Sequence, residues 1–234
     1  MPIVPAETVR SPRDLAPYLD HTLLAPGAGP ADLERLCREA RAEGLGAVCV
    51  HRQAVAEARR LLAGAPVRVV AVADFPRGEG TIAARVAEAL EAVRAGADEL
   101  DVVAPLPAVL AGRWEAALDD LRAVVRAVPV PVKVILETAR LDRDRIVAAA
   151  SLAASAGAAF VKTSTGFGGR GATVEDVTLL RAVVGERMGV KASGGIRTAA
   201  DALAMVRAGA DRIGSSSSVA IVTGTFEPAR LNIR

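Results

Sequence analysis

The sequence predicts a single α/β domain folded as a (β/α)8 TIM barrel, and three observations support this fold class. Short apolar runs rich in β-branched residues alternate along the whole chain with longer segments of helical period. Eight such runs, each followed by a helix-like segment, fit the 234 residues, a length close to that of this barrel. Gly44, Gly96, Gly157 and Gly209 precede the second, fourth, sixth and eighth runs. They are predicted to end helices and repeat as four quarters of a barrel would.

Each strand is predicted from one apolar run. In chain order the runs are YLDHTLL (18–24), AVCVH (47–51), VRVVAVADF (67–75), ELDVVA (99–104), VKVILET (132–138), FVKTST (160–165), VKASG (190–194) and RIGSS (212–216). The segments between them are rich in Ala, Arg, Glu and Leu and have apolar residues at helical spacing. Helices are predicted over residues 30–43, 52–63, 79–95, 113–127, 142–156, 174–187, 198–208 and 217–223.

No low-complexity linker interrupts this series, so residues 1–234 are predicted to form one domain. Residues 1–14 are interpreted as an N-terminal arm, and residues 224–234, which lack periodicity, as a C-terminal tail. A doubly wound sheet of the same size is the alternative, but that fold normally has fewer strands and a clearer Gly-rich first turn.

Composition limits the class of partner. The net charge is +2 and only 3% of residues are aromatic, which argues against nucleic acid as a partner. The longest uncharged run, residues 146–161, is too short to cross a bilayer, so no membrane partner is expected. Cys37 and Cys49 lack a metal-ligand spacing, and we predict a reduced, cytoplasmic setting without a signal peptide.

Lysine is rare and placed in a pattern. The 29 basic residues comprise 26 Arg and three Lys. Lys133, Lys162 and Lys191 each follow a valine, in the fifth, sixth and seventh predicted strands. Arg is effectively never deprotonated, whereas a buried Lys can lose its proton and act as a base or nucleophile. Because functional residues of such barrels lie towards the C-terminal ends of strands, the three amines are predicted to converge on one cavity.

Mutual repulsion among three buried cations favours the neutral form of at least one of them. A lysine activated in this way is a Schiff-base nucleophile. The alternative is that each lysine only pairs with an acid such as Asp101 or Glu137.

Two buried acids are candidates for proton transfer, which carbonyl chemistry requires. Asp101 lies within ELDVVA and Asp20 within LDHTLL, and buried acids of this kind are usually paired. We interpret Asp101 as an acid–base residue that also forms an ion pair. For Asp20 a supporting role and a structural role remain open, and Glu137 is interpreted as structural.

Glycine and hydroxyl residues suggest a phosphate site. KASGGIRTAAD (191–201) and IGSSSSVA (213–220) follow the seventh and eighth strands, where barrel enzymes commonly bind phosphate at a helix N-terminus. STGFGGRGAT (164–173) is expected to close over the same group, with Arg170 as a charge partner. Each motif alone is weak, because glycine also makes turns.

No metal site is predicted. His21 and His51 are 30 residues apart in the sequence and have no obvious third ligand. Cys49 is interpreted as a core thiol.

The motifs LDHTLLAP, VILETARL, FVKTSTGFGGRGAT, VKASGGIRTAADA and RIGSSSSVAIV together resemble the deoxyribose-phosphate aldolase family over residues 18–222. The resemblance implies a metal-free class I aldolase that needs no cofactor. Such enzymes reversibly cleave 2-deoxy-D-ribose 5-phosphate to acetaldehyde and D-glyceraldehyde 3-phosphate through a lysine Schiff base. The implied partners are therefore a small phosphorylated sugar and aldehydes.

The resemblance also implies roles for individual residues. Lys162 matches the Schiff-base lysine, Lys191 the second catalytic lysine and Asp101 the acid–base aspartate. Asp20, Lys133 and Thr165 are supporting candidates. The positions that match phosphate-binding residues are Gly166, Gly194, Gly195, Ser216 and Ser217.

Some positions depart from the family pattern. Asp74 stands in place of Gly, and Ser218 in place of the Gly that usually follows two serines. In the segment after Asp101, Pro105, Pro107 and Leu110 replace Asn, Gly and Lys. We expect the loops after the third and fourth strands to line the pocket mouth, which leaves substrate preference open.

Two other functions remain as alternatives. One is a related barrel aldolase with altered aldehyde specificity, and the other is a catalytically weak phospho-sugar-binding protein. Retention of all three lysines argues against the second. A homo-oligomer is open, because barrels of this kind often pair.

Overall fold

In the computed structural model, which describes residues 6–226, eight parallel strands close into a barrel. Pairing follows chain order, and the eighth strand pairs with the first, so the predicted (β/α)8 fold is confirmed. The strands are β1 (Leu19–Leu23), β2 (Ala47–His51), β3 (Arg68–Ala73), β4 (Glu99–Val103), β5 (Val132–Ile135), β6 (Phe160–Lys162), β7 (Gly189–Ser193) and β8 (Arg212–Ser215). The helices are α1 (Pro30–Glu43), α2 (Val55–Leu61), α3 (Ile82–Arg94), α4 (Leu106–Leu110), α5 (Trp114–Ala127), α6 (Arg143–Ser155), α7 (Val174–Val184), α8 (Ala199–Arg207) and α9 (Ser218–Thr223).

Two of the strands, β5 and β6, end three residues before their predicted apolar runs do. β5 ends at Ile135 and β6 at Lys162, although strands were expected to reach residues 138 and 165. Beyond β5 the chain turns at Glu137, which has a φ of 56° and starts a short 3-10 turn over Thr138–Arg140. A left-handed residue cannot continue a strand, so the segments after both strands become loops at the top of the barrel.

Helix ends follow local signals in the sequence. Side-chain oxygens cap α3, α6, α7 and α8 at Thr81, Asp142, Thr173 and Thr198. The four glycines predicted to end helices all have positive φ, from 66° at Gly44 to 109° at Gly209. The helix α4 was not predicted, because it comprises only five residues and two prolines, Pro105 just before it and Pro107 at its second position, signalled a loop.

Apolar side chains form two separate layers. The larger one packs between the outer faces of the strands and the helices. The smaller one lies within the barrel wall on β1 to β3 and comprises Leu24, Ala47, Cys49, Val70 and Val72. The remaining interior of the barrel is charged, as described below.

The predicted terminal extensions are only partly described. Residues 1–5 and 227–234 lie outside the described part of the chain. A 3-10 helix over Pro12–Tyr18 begins in the predicted arm, continues up to β1 and packs against α9. Within residues 6–226 no helix is long and apolar enough to cross a membrane.

Candidate active site

The three lysines lie side by side inside the barrel. Lys162 on β6 is paired in register with Lys191 on β7, and Lys133 on β5 is paired with Asp101 on β4. Paired residues of neighbouring strands point to the same face of a sheet, and all four side chains are buried. The three lysines therefore converge inside the barrel, as predicted, but only Lys162 lines the cavity described below.

Asp101 is the point where the lysines meet. Its Oδ2 accepts hydrogen bonds from the Nζ atoms of Lys162 and Lys191, each at 2.7 Å, and its Oδ1 accepts one from Lys133 at 3.0 Å. Burial alone would raise the pKa of Asp101, but the nearby lysines, Lys133 first, hold it well below its usual range through their charges and hydrogen bonds. Asp101 is therefore a carboxylate at neutral pH and can accept a proton but not supply one.

Asp20 holds Lys191 from the other side. Lys191 Nζ contacts Asp20 Oδ2 as well as Asp101, and Arg212 Nε donates to Asp20 Oδ1 at 2.9 Å. Burial would lower the pKa of Lys191, but Asp101 and Asp20 together raise it above its ordinary value. Lys191 is accordingly a permanent cation of the site.

Glu99 and Arg212 complete this cluster, and sequence reasoning missed both. Glu99 Oε2 lies 2.5 Å from Lys133 Nζ, and both of its oxygens lie 3.2 Å from Arg212 Nη1. Glu99 lies two residues before Asp101 in β4, so strand alternation puts both side chains on one face of the sheet. This alternation could have identified Glu99 from the sequence. We call the whole set the interior ion network; its members are Asp20, Glu99, Asp101, Lys133, Lys162, Lys191 and Arg212.

A cavity of about 360 Å³ lies above this network at the C-terminal ends of the strands. Of the three lysines, only Lys162 lines it, and Lys162 keeps 3% exposure whereas Lys133 and Lys191 have none. The other lining residues include Thr22, Leu23, Leu24, Thr165, Gly166, Phe167, Ser193, Gly194, Gly195, Ile196, Arg197, Gly214, Ser215 and Ser216. A molecule in the cavity thus meets one amine, with the remaining charges beneath it.

Most of the predicted phosphate residues meet at one side of the cavity. Gly166, Gly194, Gly195 and Ser216 all line it, but Ser217 does not. The Cα of Gly171 approaches Gly194 so closely that a Cβ on Gly194 would lie 2.9 Å from it, and Gly194 has a φ of 86°. The glycine therefore lets the loops after β6 and β7 pack backbone against backbone.

The basic residue on the side of the cavity that the predicted phosphate residues form is Arg197, which the sequence interpretation did not identify. Arg197 lines the cavity, and its side chain forms no ion pair with another residue of the 6–226 range. Arg170, the predicted charge partner, instead donates to Asp176 at 2.5 and 3.2 Å outside the cavity lining. The expectation for Arg170 was wrong, because Asp176 on α7 competes for its guanidinium.

Thr165 and Glu137 fix the start of the loop after β6. Glu137 Oε2 accepts a hydrogen bond from Thr165 Oγ1 at 2.5 Å, and Thr165 Oγ1 accepts one from the amide of Phe167 at 3.0 Å. Glu137 is buried and bonds to this loop instead of to a lysine. Its structural interpretation agrees with this geometry.

The residues that depart from the family pattern do not line the cavity. Asp74 bonds to Arg85, Pro105 and Pro107 shape α4, and Ser218 Oγ donates to Ser215 O at 3.0 Å. The loop after β3 reaches the cavity only indirectly, through an edge-to-face contact of Phe75 with Phe167, whose ring centroids lie 5.4 Å apart. The expectation that the loops after β3 and β4 line the mouth was wrong for the described cavity.

Cys49 is fully buried on β2 near the network. Burial, followed by the charge of Asp101, raises the pKa of its thiol to about 11. Cys49 is therefore a neutral thiol at neutral pH, in agreement with its interpretation as a core residue.

Comparison with known proteins connects this geometry to a family. A model described as DeoC/LacD family aldolase matches residues 15–224. The deoxyribose-phosphate aldolase of Thermoanaerobacter sp. (strain X514) is 48% identical over 213 residues, which cover 89% of this chain and 96% of that protein. The protein of the same name from Deinococcus radiodurans is 48% identical over 211 residues, covering 90% and 96% of the two chains.

A solved structure agrees with these matches. The deoxyribose phosphate aldolase of Aeropyrum pernix, whose structure is described as tetrameric, superposes with a TM-score of 0.85 at 35% identity. The superposition covers 92% of each chain. Fold and sequence comparisons therefore point to the same group of proteins.

Proposed function

The chain belongs to the DeoC/LacD aldolase family and is an aldolase, and we propose that it cleaves 2-deoxy-D-ribose 5-phosphate through a Schiff base on Lys162. The products are acetaldehyde and D-glyceraldehyde 3-phosphate, and the reaction is reversible. The observation that carries the proposal is the position of Lys162, which lines the cavity while its Nζ lies 2.7 Å from Asp101. The relatives' names supply the substrate.

The first half of the reaction forms the Schiff base. The neutral amine of Lys162 attacks the C1 aldehyde of the open-chain sugar, and its proton passes to the new C1 oxygen to give a carbinolamine. With one proton taken up from solvent through a water in the cavity, that oxygen leaves as water and an iminium remains at C1. Asp101, as a carboxylate held by lysines, stabilises the positive charge on this nitrogen.

The second half breaks the carbon–carbon bond. A base removes the proton of the 3-hydroxyl, the bond between C2 and C3 breaks, and its electron pair moves into the iminium to give an enamine. C3 becomes the aldehyde of D-glyceraldehyde 3-phosphate. Protonation of the enamine at C2 and hydrolysis of the iminium then release acetaldehyde and free Lys162.

The roles of the neighbouring residues follow from their contacts. Asp101 is fully buried, so it reaches the 3-hydroxyl only through a water in the cavity, which relays the proton. Lys191 is held as a cation by Asp101 and Asp20, and this charge disfavours a second cation on Lys162. Asp20 and Lys133 support the reaction by fixing Lys191 and Asp101.

We assign the phosphate of the substrate to the side of the cavity that Gly166, Gly194, Gly195 and Ser216 form. Backbone amides of glycine loops and hydroxyl groups are the donors that proteins use for phosphate. Arg197 adds a positive charge there, and Thr165 positions the loop. Ser217, which lies next to Ser216 but outside the lining, contributes by donating its amide to Ser215 Oγ at 3.0 Å.

Borohydride reduction in the presence of acetaldehyde, followed by peptide mass mapping, tests the proposal. We expect one reduced adduct, on Lys162. Lys133 is the internal control, since it contacts the same Asp101 but does not line the cavity. An unmodified Lys162 in folded protein would overturn the Schiff-base assignment, and an adduct without cleavage of the phosphorylated sugar would favour an altered aldehyde specificity.

Arg197→Met tests the phosphate side. Loss of a charge-assisted contact should raise KM for 2-deoxyribose 5-phosphate about tenfold and leave the reaction of unphosphorylated 2-deoxyribose unchanged. Arg170→Met is the matched control, because this arginine lies in the neighbouring loop but bonds to Asp176. Equal effects of the two variants would contradict the assignment.

Two further expectations concern the cellular setting and the oligomeric state. Cys37 and Cys49 are buried free thiols, which supports the predicted reduced, cytoplasmic setting. The Aeropyrum pernix relative is described as tetrameric, and we expect self-association of this chain as well, to be measured by sedimentation.

A further inference from the structure

Six members of the interior ion network form a closed ring of ion pairs, and the seventh, Lys162, is attached to it. Arg212 contacts Asp20, Asp20 contacts Lys191, and Lys191 contacts Asp101. On the other side Asp101 contacts Lys133 and Lys133 contacts Glu99. Glu99 contacts Arg212 and so completes the ring. Lys162 lies outside the ring and, among the described residues, joins it only through its contact with Asp101. The proposed mechanism gives Arg212 and Glu99 no part.

The ring contains more potential cations than anions. Its cations are Lys133, Lys162, Lys191 and Arg212, and its anions are Asp20, Glu99 and Asp101. The acids are held ionised, since burial would raise the pKa of Glu99 but Lys133 and Arg212 lower it. Buried charge that is not matched is expensive. The positive and negative charges of the network are therefore equal in number when one of the lysines is neutral.

Lys162 is the lysine that the contacts leave least compensated. Lys191 lies between Asp20 and Asp101, and Lys133 lies between Glu99 and Asp101. Among the described residues Lys162 has one carboxylate partner, Asp101, which it shares with both other lysines. It is also the lysine that lines the cavity. Lys162 is consequently the lysine expected to be neutral, and it lies at the cavity, where the reaction needs a nucleophile.

We propose that Arg212 is a positioning residue that keeps Lys162 neutral, because its fixed charge pairs with Asp20 and Glu99, which would otherwise compensate the lysines alone. This inference rests on the proposed Schiff-base function. Arg212 never touches the substrate cavity. Its effect passes through two carboxylates, which is why an arginine, the side chain that does not deprotonate, stands at this position on β8.

Among residues 6–226, the charged and titratable groups that face Lys162 are the following. Asp101 and Glu99 lie on β4, Lys133 on β5 and Lys191 on β7. Asp20 lies on β1, Arg212 on β8 and Cys49 on β2. Cys49 is a neutral thiol, Glu137 bonds to Thr165, and Arg68 reaches Glu99 at 3.4 Å from a side chain that is 40% exposed. Arg68 adds to the positive side, so it does not reverse the imbalance.

The test measures the rate of acetaldehyde trapping on Lys162 with cyanoborohydride across a pH series. In Arg212→Met the three lysines face three carboxylates, so Lys162 stays protonated to higher pH. We expect the midpoint of the pH profile to move about one unit to alkaline pH, with trapping about tenfold slower at neutral pH and recovered at higher pH. Arg212→Lys should keep the midpoint of the unmodified protein, since the charge is retained.

Glu99→Gln gives the opposite charge change in the same ring. It removes an anion, so the midpoint should not move to alkaline pH. A general loss of packing would shift both variants alike. An alkaline shift in Arg212→Met but not in Glu99→Gln supports the proposal; the same shift in both, or none in Arg212→Met, overturns it.

Loss of one partner of a buried ion pair can prevent folding, so the double variant Arg212→Met/Glu99→Gln is the second test. It removes both partners and leaves the excess of one cation, and its midpoint is expected within about 0.3 unit of the unmodified protein. An alkaline shift of a full unit in the folded double variant would overturn the proposal.

Arg85→Met is the matched control. Arg85 is another fully buried arginine paired with carboxylates, Asp74 and Asp120, but it lies outside the barrel interior. Its loss should leave the pH profile in place. The outcomes are also separable from those of the proposed function: absence of trapping in the unmodified protein rejects the Schiff base, whereas normal trapping with an unshifted Arg212→Met rejects only this inference.

Discussion

Two clusters of buried charge, among those in the described residues, differ in kind. The interior ion network combines three lysines and one arginine with three carboxylates and lies directly beneath a cavity. The second place, the Arg85 cluster, consists of Arg85, Asp74 and Asp120. It has one cation for two carboxylates, and Arg85 also donates to Val103 O at 2.6 Å, so that it joins the loop after β3 to β4 and α5.

This difference shows why burial of charge alone does not mark a catalytic site. The Arg85 cluster fixes a loop with a side chain that cannot lose its proton. The interior network contains amines that can, and its excess of cations decides which amine does. Equivalent substitutions in the two clusters should therefore have different effects on activity and stability.

Replacement of Lys162 should give the largest effect. Lys162→Met removes the nucleophile, and we expect cleavage of 2-deoxyribose 5-phosphate to fall by at least roughly 10⁴-fold. If Lys162 is neutral, methionine leaves the charge count of the network unchanged. The midpoint of thermal unfolding should then stay within about 4 °C, and a much larger drop would indicate that Lys162 is charged.

Lys191→Met should instead destabilise the fold strongly. The substitution leaves Asp20 and Asp101 each without one cation, and removal of one partner from a buried ion pair costs about 3–5 kcal/mol. Urea unfolding compared with that of Lys162→Met checks this. Equal stability of the two variants would contradict the distinction between a charged Lys191 and a neutral Lys162.

The comparison also explains how much of the fold could be predicted. Strand positions and the barrel followed from apolar runs and repeated glycines, because those patterns are local. Glu137 was placed in a strand because its neighbours are apolar, whereas its left-handed backbone depends on the bond of its carboxylate to Thr165. Interactions of this kind bring together residues 28 positions apart and leave no periodic signal.

The site itself was predictable in its lysines but not in its charge balance. Lys133, Lys162 and Lys191 stood out because the sequence otherwise uses Arg. Arg212 did not, since it is one of 26 arginines, and its contact with Asp20 spans 192 positions. Only the closed barrel, which brings β8 beside β1, makes that pair visible.

Acid should weaken the interior network. Asp101 and Glu99 have pKa values in the folded protein below their ordinary ones, which are about 3.9 and 4.3 in unfolded chains. Their contribution to stability is therefore complete above about pH 5 and is lost as the pH falls through the folded-state values. Urea unfolding should show a constant free energy of unfolding from about pH 6.5 to 5 and a decrease of roughly 2 kcal/mol or more by pH 3. Asp101→Asn is the control, and its decrease should be smaller.

The smallest effect is expected at Asp120 of the Arg85 cluster. Burial raises the pKa of Asp120 despite the attraction of Arg85, and its Oδ1, 2.8 Å from Arg85 Nε, makes no hydrogen bond to the described residues. A raised pKa means that ionisation of Asp120 costs stability, which is recovered as the pH falls through the folded-state value. Asp120→Asn should therefore change the free energy of unfolding by no more than about 1 kcal/mol at pH 7, against about 3–5 kcal/mol for Asp101→Asn.

The pH dependence of that difference separates the two places most sharply. The advantage of the unmodified protein over Asp120→Asn should grow as the pH falls from 7 towards the unfolded-state pKa of about 3.9, whereas its advantage over Asp101→Asn should shrink below about pH 4. Asp119→Asn, on the exposed face of the same helix, serves as the control and should stay within about 0.5 kcal/mol throughout. If Asp120→Asn and Asp101→Asn instead gave equal losses with the same slope, both clusters would be ordinary structural ion pairs, and the excess cation would no longer distinguish the barrel interior.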